Sequence, residues 1–386
     1  MAIAFWVLIG LVSLAYVGYP MLLAIVARLA RRPARCEDIT PTVTLLIPAY
    51  NEERSLAAKL DSCVDLDYPG DRLQVIVLSD GSTDGTNAVA ARYAPHGIAL
   101  MAFAANRGKL AVLRDGLAAA TGEIVAFSDA ASRLEPASLR RLVRPFADPA
   151  VGCVSGVYRV LRPEAAQLGA EEGFYWRYET FVKQCESDLA STLGAHGSLY
   201  AVRRALCPDL SRIRTNDDYE IPLHIAAGGH RAVYAPDAVA YEEATEMGGF
   251  ARRVRIAVGN WRQLRLLGLL AWPPRPWLLF TFVAHKLLRL LGPFCLAAAF
   301  AINLFLPGPL YCATLAAQAA FYTLALVGAL SAAAPHPAPR IPHALRRLKL
   351  PFYFCMINAA YVVGLVRLLT RRGVRWNAPR RETPDA

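Results

Sequence analysis

The chain has 386 residues, 55% of them hydrophobic and 19% charged, with a formal net charge of +11. That length accommodates one sizeable soluble domain together with a set of membrane helices. The basic excess does not indicate a nucleic-acid partner, because the arginines cluster beside apolar segments, where they read as the flanks of membrane spans.

Residues 1–27 carry no charge, enough for one crossing of a bilayer core that takes roughly 20 residues. No basic stretch precedes the apolar run, and the run exceeds the core of an ordinary signal peptide. Residues 1–30 therefore read as a transmembrane helix. Arg28, Arg31, Arg32 and Arg35 follow, which places the next domain in the cytoplasm.

Over residues 41–245 the pattern changes to short β-branched runs separated by helical stretches. Val43–Pro48, Gln74–Ser79 and Ile124–Ser128 read as strands, and Ser55–Val64 and Gly108–Ala120 as helices. This alternation predicts an α/β domain with a mostly parallel, Rossmann-like sheet and a ligand site at the carboxyl ends of its strands. Those ends carry acidic loops: Tyr50-Asn51-Glu52-Glu53, then Asp80-Gly81-Ser82-Thr83-Asp84, then Asp129. Thr83 or Asp84 also suits capping of a helix starting near Thr86, and Asn51 or Glu52 suits an ordinary helix start. Three carboxylate-bearing strand ends on one rim suit a divalent cation or a sugar-and-ribose site better than they suit each other. The eight cysteines are scattered singly without zinc spacing, and Cys36, Cys63, Cys153, Cys185 and Cys207 read as buried free thiols.

Residues 246–275 carry Arg252, Arg253, Arg255, Arg262 and Arg265 among Phe250, Ile256, Val258, Trp261 and Leu264. The mixture reads as an amphipathic helix on an anionic membrane surface, with Trp261 as an interfacial anchor. Residues 276–370 follow as a membrane region of about three segments. Leu290–Pro339 is free of charge and reads as two spans broken at Leu306-Pro307-Gly308-Pro309. Lys286 and Arg289 on one side, and Arg340, Arg346, Arg347 and Lys349 on the other, place both ends of this hairpin in the cytoplasm. Leu350–Leu369 is a further apolar segment. Crossing would put the basic tail of residues 371–386 outside, against the same rule. The hairpin's lack of charged residues argues against a solute transporter.

The ordered motifs give a resemblance. Ile47-Pro-Ala-Tyr-Asn-Glu-Glu53, Leu78-Ser-Asp-Gly-Ser-Thr-Asp84, Asn106-Arg-Gly-Lys109, Phe127-Ser-Asp129, Asn216-Asp-Asp-Tyr-Glu220 and Arg252-Arg-Val-Arg255 occur in sequence. Together they resemble the family 2 glycosyltransferases of the GT-A fold, and the membrane layout is similar to bacterial exopolysaccharide, hyaluronan and chitooligosaccharide synthases. The resemblance implies an inner-membrane enzyme with a cytoplasmic catalytic domain. It would take a sugar from a nucleotide-sugar donor, UDP-linked by preference, and pass it to a growing glycan. A lipid acceptor is the alternative, a non-catalytic membrane subunit a further one, and a partner that exports the product is compatible with either acceptor.

Residue by residue, the resemblance has Tyr50 stack on the nucleobase and Glu52 and Asp80 hydrogen-bond base and ribose, with Lys109 near the nucleotide. Asp129 takes the first position of the metal motif and would hold Mg²⁺ or Mn²⁺ against the diphosphate. The third position is Ala131, which offers a metal no oxygen. Asp218 stands in the place of the general base at a helix start, where the dipole favours its ionised form. Arg252 and Arg255 occupy the first and fourth positions of the family's QxxRW motif and would bind the diphosphate, while the tryptophan position holds Ile256. Gly194 and His196 are assigned to the acceptor side, with packing the favoured role for the His196 side chain and contact with sugar the alternative.

Overall fold

The computed structural model describes residues 1–161, 169–243, 249–271, 275–333 and 349–370. Its centre is one eight-stranded sheet: β1 (Val43–Ala49), β2 (Leu73–Asp80), β3 (Ile98–Phe103), β4 (Ile124–Phe127), β5 (Ser132–Leu134), β6 (Val151–Leu161), β7 (Tyr200–Arg203) and β8 (Arg231–Glu243). The spatial order is β3-β2-β1-β4-β7-β6-β8-β5. The first four are parallel, β7 runs antiparallel to β4 and β6, β6 and β8 are parallel, and β5 is an antiparallel edge. The fold is therefore the mixed, mostly parallel GT-A arrangement.

Alternation along β1 explains the two-sided burial. Leu45 and Ile47 face a core shared with Leu56, Leu60 and Cys63 of helix α2 (Glu53–Val64), while Leu46 faces Val112 and Leu113 of α3 (Lys109–Ala119). Because β2, β1 and β4 are neighbours, their loops converge on one edge of the sheet.

Around this domain run α1 (Ala2–Ala30), α4 (Gly169–Leu189), α5 (Asp217–Ala227), α6 (Gly249–Gln263), α7 (Pro276–Asn303), α8 (Pro309–Ala333) and α9 (Lys349–Leu369). Four of these contain stretches long and apolar enough to cross a membrane: Ala2–Ala30, Pro276–Asn303, Pro309–Leu330 and Leu350–Leu369. They leave Ile3, Leu29, Leu330 and Leu369 largely exposed, surface that lipid tolerates and water does not. The chain is a membrane protein.

Three expectations change. Helix α7 begins at Pro276, so Lys286 and Arg289 lie inside it rather than ahead of a span. The catalytic-domain side answers them: Arg289 pairs with Glu179 of α4 at 3.1 Å, and Lys286 sits 4.4 Å from the Tyr219 ring centroid. Trp261 is buried within the protein instead of lying in the interface. Its Nε1 donates to the Tyr361 carbonyl at 2.8 Å, because α6 packs along α9 where Gly364 admits Ala257 and Val258. Finally, all eight cysteines are free, but Cys36 is exposed and Cys207 only half-buried. The basic tail of residues 371–386 lies outside the described residues.

Candidate active site

The loops after β1 and β2 are stitched together. Asn51 adopts φ 54°, and its Oδ1 accepts the Thr83 N–H at 2.8 Å. The Glu53 carboxylate accepts the Gly85 N–H at 3.0 Å. Asp84 closes its own turn by accepting the Thr86 N–H at 3.0 Å, the local role its sequence position suggested. These contacts leave Tyr50 and Glu52 half-buried at the rim, with the Ser55 hydroxyl donating to Glu52.

Asp80 is spent on a neighbouring loop. It is 1% exposed, and its two oxygens accept the N–H groups of Arg107 and Gly108, each at 2.8 Å. Asp80 thus fixes the Asn106–Lys109 turn, one accepted N–H on each oxygen. Gly81 is required here: at φ 66° it lies against Ala105 and Asn106, where a Cβ would come within 2.4 Å of backbone.

The Asn106–Lys109 turn delivers Lys109 as the first residue of α3. Its ammonium lies 2.9 Å from Asp129 and 3.2 Å from Asp217. Burial alone would weaken its hold on the proton, but Asp129, Asp217 and Asp218 more than offset it and keep the lysine cationic. Lys109 is therefore a bridge between carboxylates, not a solvated loop residue. Behind Asp129, the fully buried Lys59 donates to the Ser128 hydroxyl, which donates to the Ser198 carbonyl, and the Asp129 N–H reaches the Gly197 carbonyl at 3.2 Å.

The register of β4 on β7 sets Phe127 opposite Tyr200, their rings stacked at 4.7 Å. From there the Tyr200 hydroxyl donates to Asp217 at 2.8 Å. Asp217 is thereby held at both oxygens, by Tyr200 and by Lys109. Next to it, Asp218 is half-buried and its carbonyl takes the Ala195 N–H at 2.6 Å. Burial first, then the Asp217 carboxylate, push the Asp218 carboxyl up to about 6; Lys109 opposes this and Asp129 adds to it. The helix-start dipole, expected to favour ionisation, is outweighed.

Gly197 lies between the two carboxylates. A Cβ there would meet Asp129 Oδ2 at 3.0 Å and Asp218 Oδ2 at 3.5 Å, so this small residue keeps the space between them open. Glu220, fully buried, completes the acidic segment by pairing with Arg265 at 2.5 Å and accepting the Arg214 N–H. Arg255 is half-buried on α6; Arg252 belongs to the same helix, but its side chain lies outside the described residues.

The two residues assigned to the acceptor side turn inward. Gly194 makes room for Tyr219, whose ring would be 2.7 Å from a Cβ there. His196 is buried with Nε2 at 2.8 Å from the Tyr234 hydroxyl, and burial, reinforced by Lys183, holds its pKa well below the usual histidine range. Asp217 and Lys59 carry no prior assignment; of these only Asp217 had a sequence signal, as the first carboxylate of the Asp-Asp-x-Glu run.

Among the described residues no group of three or more His, Cys, Asp or Glu side chains converges as a metal centre. Asp129 suits a more modest role. Lys109 occupies its Oδ1 while Oδ2 faces the space at Gly197, which gives one carboxylate oxygen to a hard divalent ion that draws its other ligands from phosphate and water.

Residues 44–208 match the model of the family described as Glycosyl transferase family 2. Mannosyltransferase PcManGT from Pyrobaculum calidifontis, solved in complex with GDP-Man and Mn²⁺, has a TM-score of 0.70 at 28% identity, over 96% of this chain and 100% of that one. A probable glycosyltransferase of Bacillus subtilis, YdaM, is 26% identical over 57% of this chain and 55% of its own length. The beta-monoglucosyldiacylglycerol synthase of Synechocystis is 35% identical over 33% of this chain and 27% of its own. The chain thus spans about half or less of the length of these curated relatives.

Proposed function

From a chain that carries a glycosyl transferase family 2 domain over residues 44–208, we propose a membrane glycosyltransferase that moves a sugar from a nucleoside diphosphate sugar to an acceptor hydroxyl with inversion. The observation that carries the reading is Asp218: a half-buried carboxyl pushed up to about 6, facing Asp129 across Gly197. Asp218 takes the proton from the acceptor hydroxyl as its oxygen bonds to the anomeric carbon. The bond from that carbon to the diphosphate breaks on the opposite face, and the electron pair leaves with the nucleoside diphosphate.

Tyr50, Glu52 and the Asn106–Lys109 turn hold the nucleotide end, with Asp80 as the brace of that turn. Arg252 and Arg255 serve the diphosphate. Mg²⁺ or Mn²⁺ bound through Asp129 would neutralise charge on the leaving group. The Mn²⁺ and GDP-Man of the Pyrobaculum mannosyltransferase support a metal and leave GDP-sugars beside UDP-sugars as donors.

For the acceptor, a growing glycan is the first reading and a lipid-borne hydroxyl the second. The second draws support from Lys286: it belongs to the membrane helix α7 and lies on the Tyr219 ring, so a cation from a membrane helix borders the Asp218 segment. The catalytic side is assigned to the cytoplasm of a multi-pass inner-membrane protein, on the strength of Arg31, Arg32 and Arg35 after α1.

The test is product partition. Purified protein given radiolabelled donor and membrane lipid yields, once unreacted donor is removed, organic-soluble label for a lipid acceptor and water-soluble label for a glycan. Label in neither phase, with no donor consumed, refutes the transferase reading.

A further inference from the structure

Two further ammonium groups close on the Asp218 segment. Lys183 of α4 donates to the Ala195 carbonyl at 3.3 Å, and the Ala195 N–H in turn donates to the Asp218 carbonyl at 2.6 Å. Lys286 of α7 lies 4.4 Å from the ring centroid of Tyr219, the residue after Asp218. The two lysines act electrostatically on each other, and each acts on Asp218. All three residues are half-buried and keep some accessible surface.

Neither lysine forms an ion pair among the described residues; their partners are a carbonyl oxygen and an aromatic face. Glu179 is the carboxylate with the largest influence on both, but its oxygens are already taken, one by His285 at 3.0 Å and the other by Arg289 at 3.1 Å. Glu186 is held by Tyr19 at 2.8 Å and His285 at 2.7 Å. The contrast with Lys109 is informative. There three aspartates more than offset burial, whereas at Lys183 burial prevails and lowers the pKa although Glu179, Asp218 and Glu186 all oppose it.

We propose that Lys183 and Lys286 bind a phosphate monoester carried by the acceptor beside the hydroxyl that Asp218 deprotonates, an inference that rests on Asp218 as the general base. Such a group brings about two negative charges, and ammonium groups serve its oxygens well. A neutral sugar would leave both lysines half-desolvated and unpaired beside the reacting hydroxyl. The phosphate takes no part in bond making. It holds the hydroxyl at Asp218 and favours a phosphorylated acceptor over an unphosphorylated one. His285 and Arg289 fix α7 against Glu179 of α4, so the subsite is complete only with that helix docked.

Inorganic phosphate is the first probe, titrated into the full chain in detergent at constant ionic strength, with thermal unfolding as the readout. Phosphate should raise the wild-type midpoint. Lys183→Gln and Lys286→Gln should each weaken that binding about tenfold, and Lys183→Arg and Lys286→Arg less. Asp218→Asn should bind phosphate at least as tightly as wild type, because a like charge is removed. Radiolabelled donor is then supplied with a total-lipid extract or a soluble extract, each before and after alkaline phosphatase that is removed before donor is added. Phosphatase should abolish transfer, and the extract that supports transfer distinguishes a lipid-borne from a soluble acceptor. An acceptor that survives phosphatase unchanged, or lysine variants that bind phosphate like wild type, would overturn the proposal. If neither extract accepts sugar, the transferase reading fails, while the phosphate titration still decides the subsite.

Discussion

Replacing Asp217 by Asn tests how the acidic segment is wired. Asp217 is 5% exposed and holds the Lys109 ammonium at 3.2 Å on one oxygen and the Tyr200 hydroxyl at 2.8 Å on the other. An amide presents one oxygen and one NH₂. With the oxygen toward Lys109, Tyr200 loses its acceptor; with the oxygen toward Tyr200, NH₂ meets an ammonium. The gross attraction lost at 3.2 Å is about 5 kcal/mol at an effective dielectric of 20. Lys109 keeps Asp129, and desolvation of the carboxylate is no longer required, so the net loss is about 2 kcal/mol. For a domain of this size that is roughly 4–8 °C in unfolding midpoint.

The same substitution removes the second-largest cause of the raised Asp218 pKa. In wild type, kcat/KM should rise with pH through an apparent value near 6, as Asp218 loses its proton. Asp217→Asn should move that limb to lower pH, toward the ordinary carboxylate range. The assay is nucleoside diphosphate release from pH 4.5 to 9, with unfolding followed in parallel. A limb that stays in place, or moves up, would refute the assignment of Asp218 as the group observed and of Asp217 as its perturber.

Gly197→Ala should reduce kcat/KM at least about tenfold while the unfolding midpoint changes little, because the methyl enters the space between Asp129 and Asp218. Kinetics and a thermal melt check this together. Arg265→Gln should destabilise by about 2 kcal/mol, seen as a lower denaturation midpoint, since it leaves the fully buried Glu220 with only the Arg214 N–H and the Thr215 hydroxyl. The position of the pH limb should not change. Gly364→Leu should separate α6 from α9 and lower the yield of folded protein in detergent, because even a Cβ there would lie 2.7 Å from Ala257. As for stability, Asp218 is protonated more readily folded than unfolded. Its favourable contribution is complete below about pH 4 and is lost as pH rises through about 6.

Much of this could be read from residue pattern. The β-branched runs Val43–Pro48, Gln74–Ser79 and Ile124–Ser128 form β1, β2 and β4 because a two-face-buried parallel strand leaves an unbroken apolar signature. Strands β3 and β6 to β8 escape the pattern. They pair across long loops, and nothing local in Ile98–Phe103 or Tyr200–Arg203 announces its partner. The acidic rim was visible in sequence, its division of labour was not. Whether Asp80 faces a ligand or braces a loop depends on where Arg107 and Gly108 pass, and Lys109 finds Asp217 only through tertiary contact. Charge was misleading near α7, since Lys286 and Arg289 look like membrane flanks until α4 and Tyr219 arrive beside them.

The central claim rests on Asp218, and one measurement addresses it most directly. Purified wild type and Asp218→Asn are compared for nucleoside diphosphate release across UDP- and GDP-sugars with Mg²⁺, Mn²⁺ or chelator, with donor binding measured alongside. The account predicts release by wild type with at least one donor, loss by a factor of about a thousand or more in the variant, and donor affinity within a few-fold of wild type. Turnover that survives in Asp218→Asn while donor binding is unchanged would contradict it.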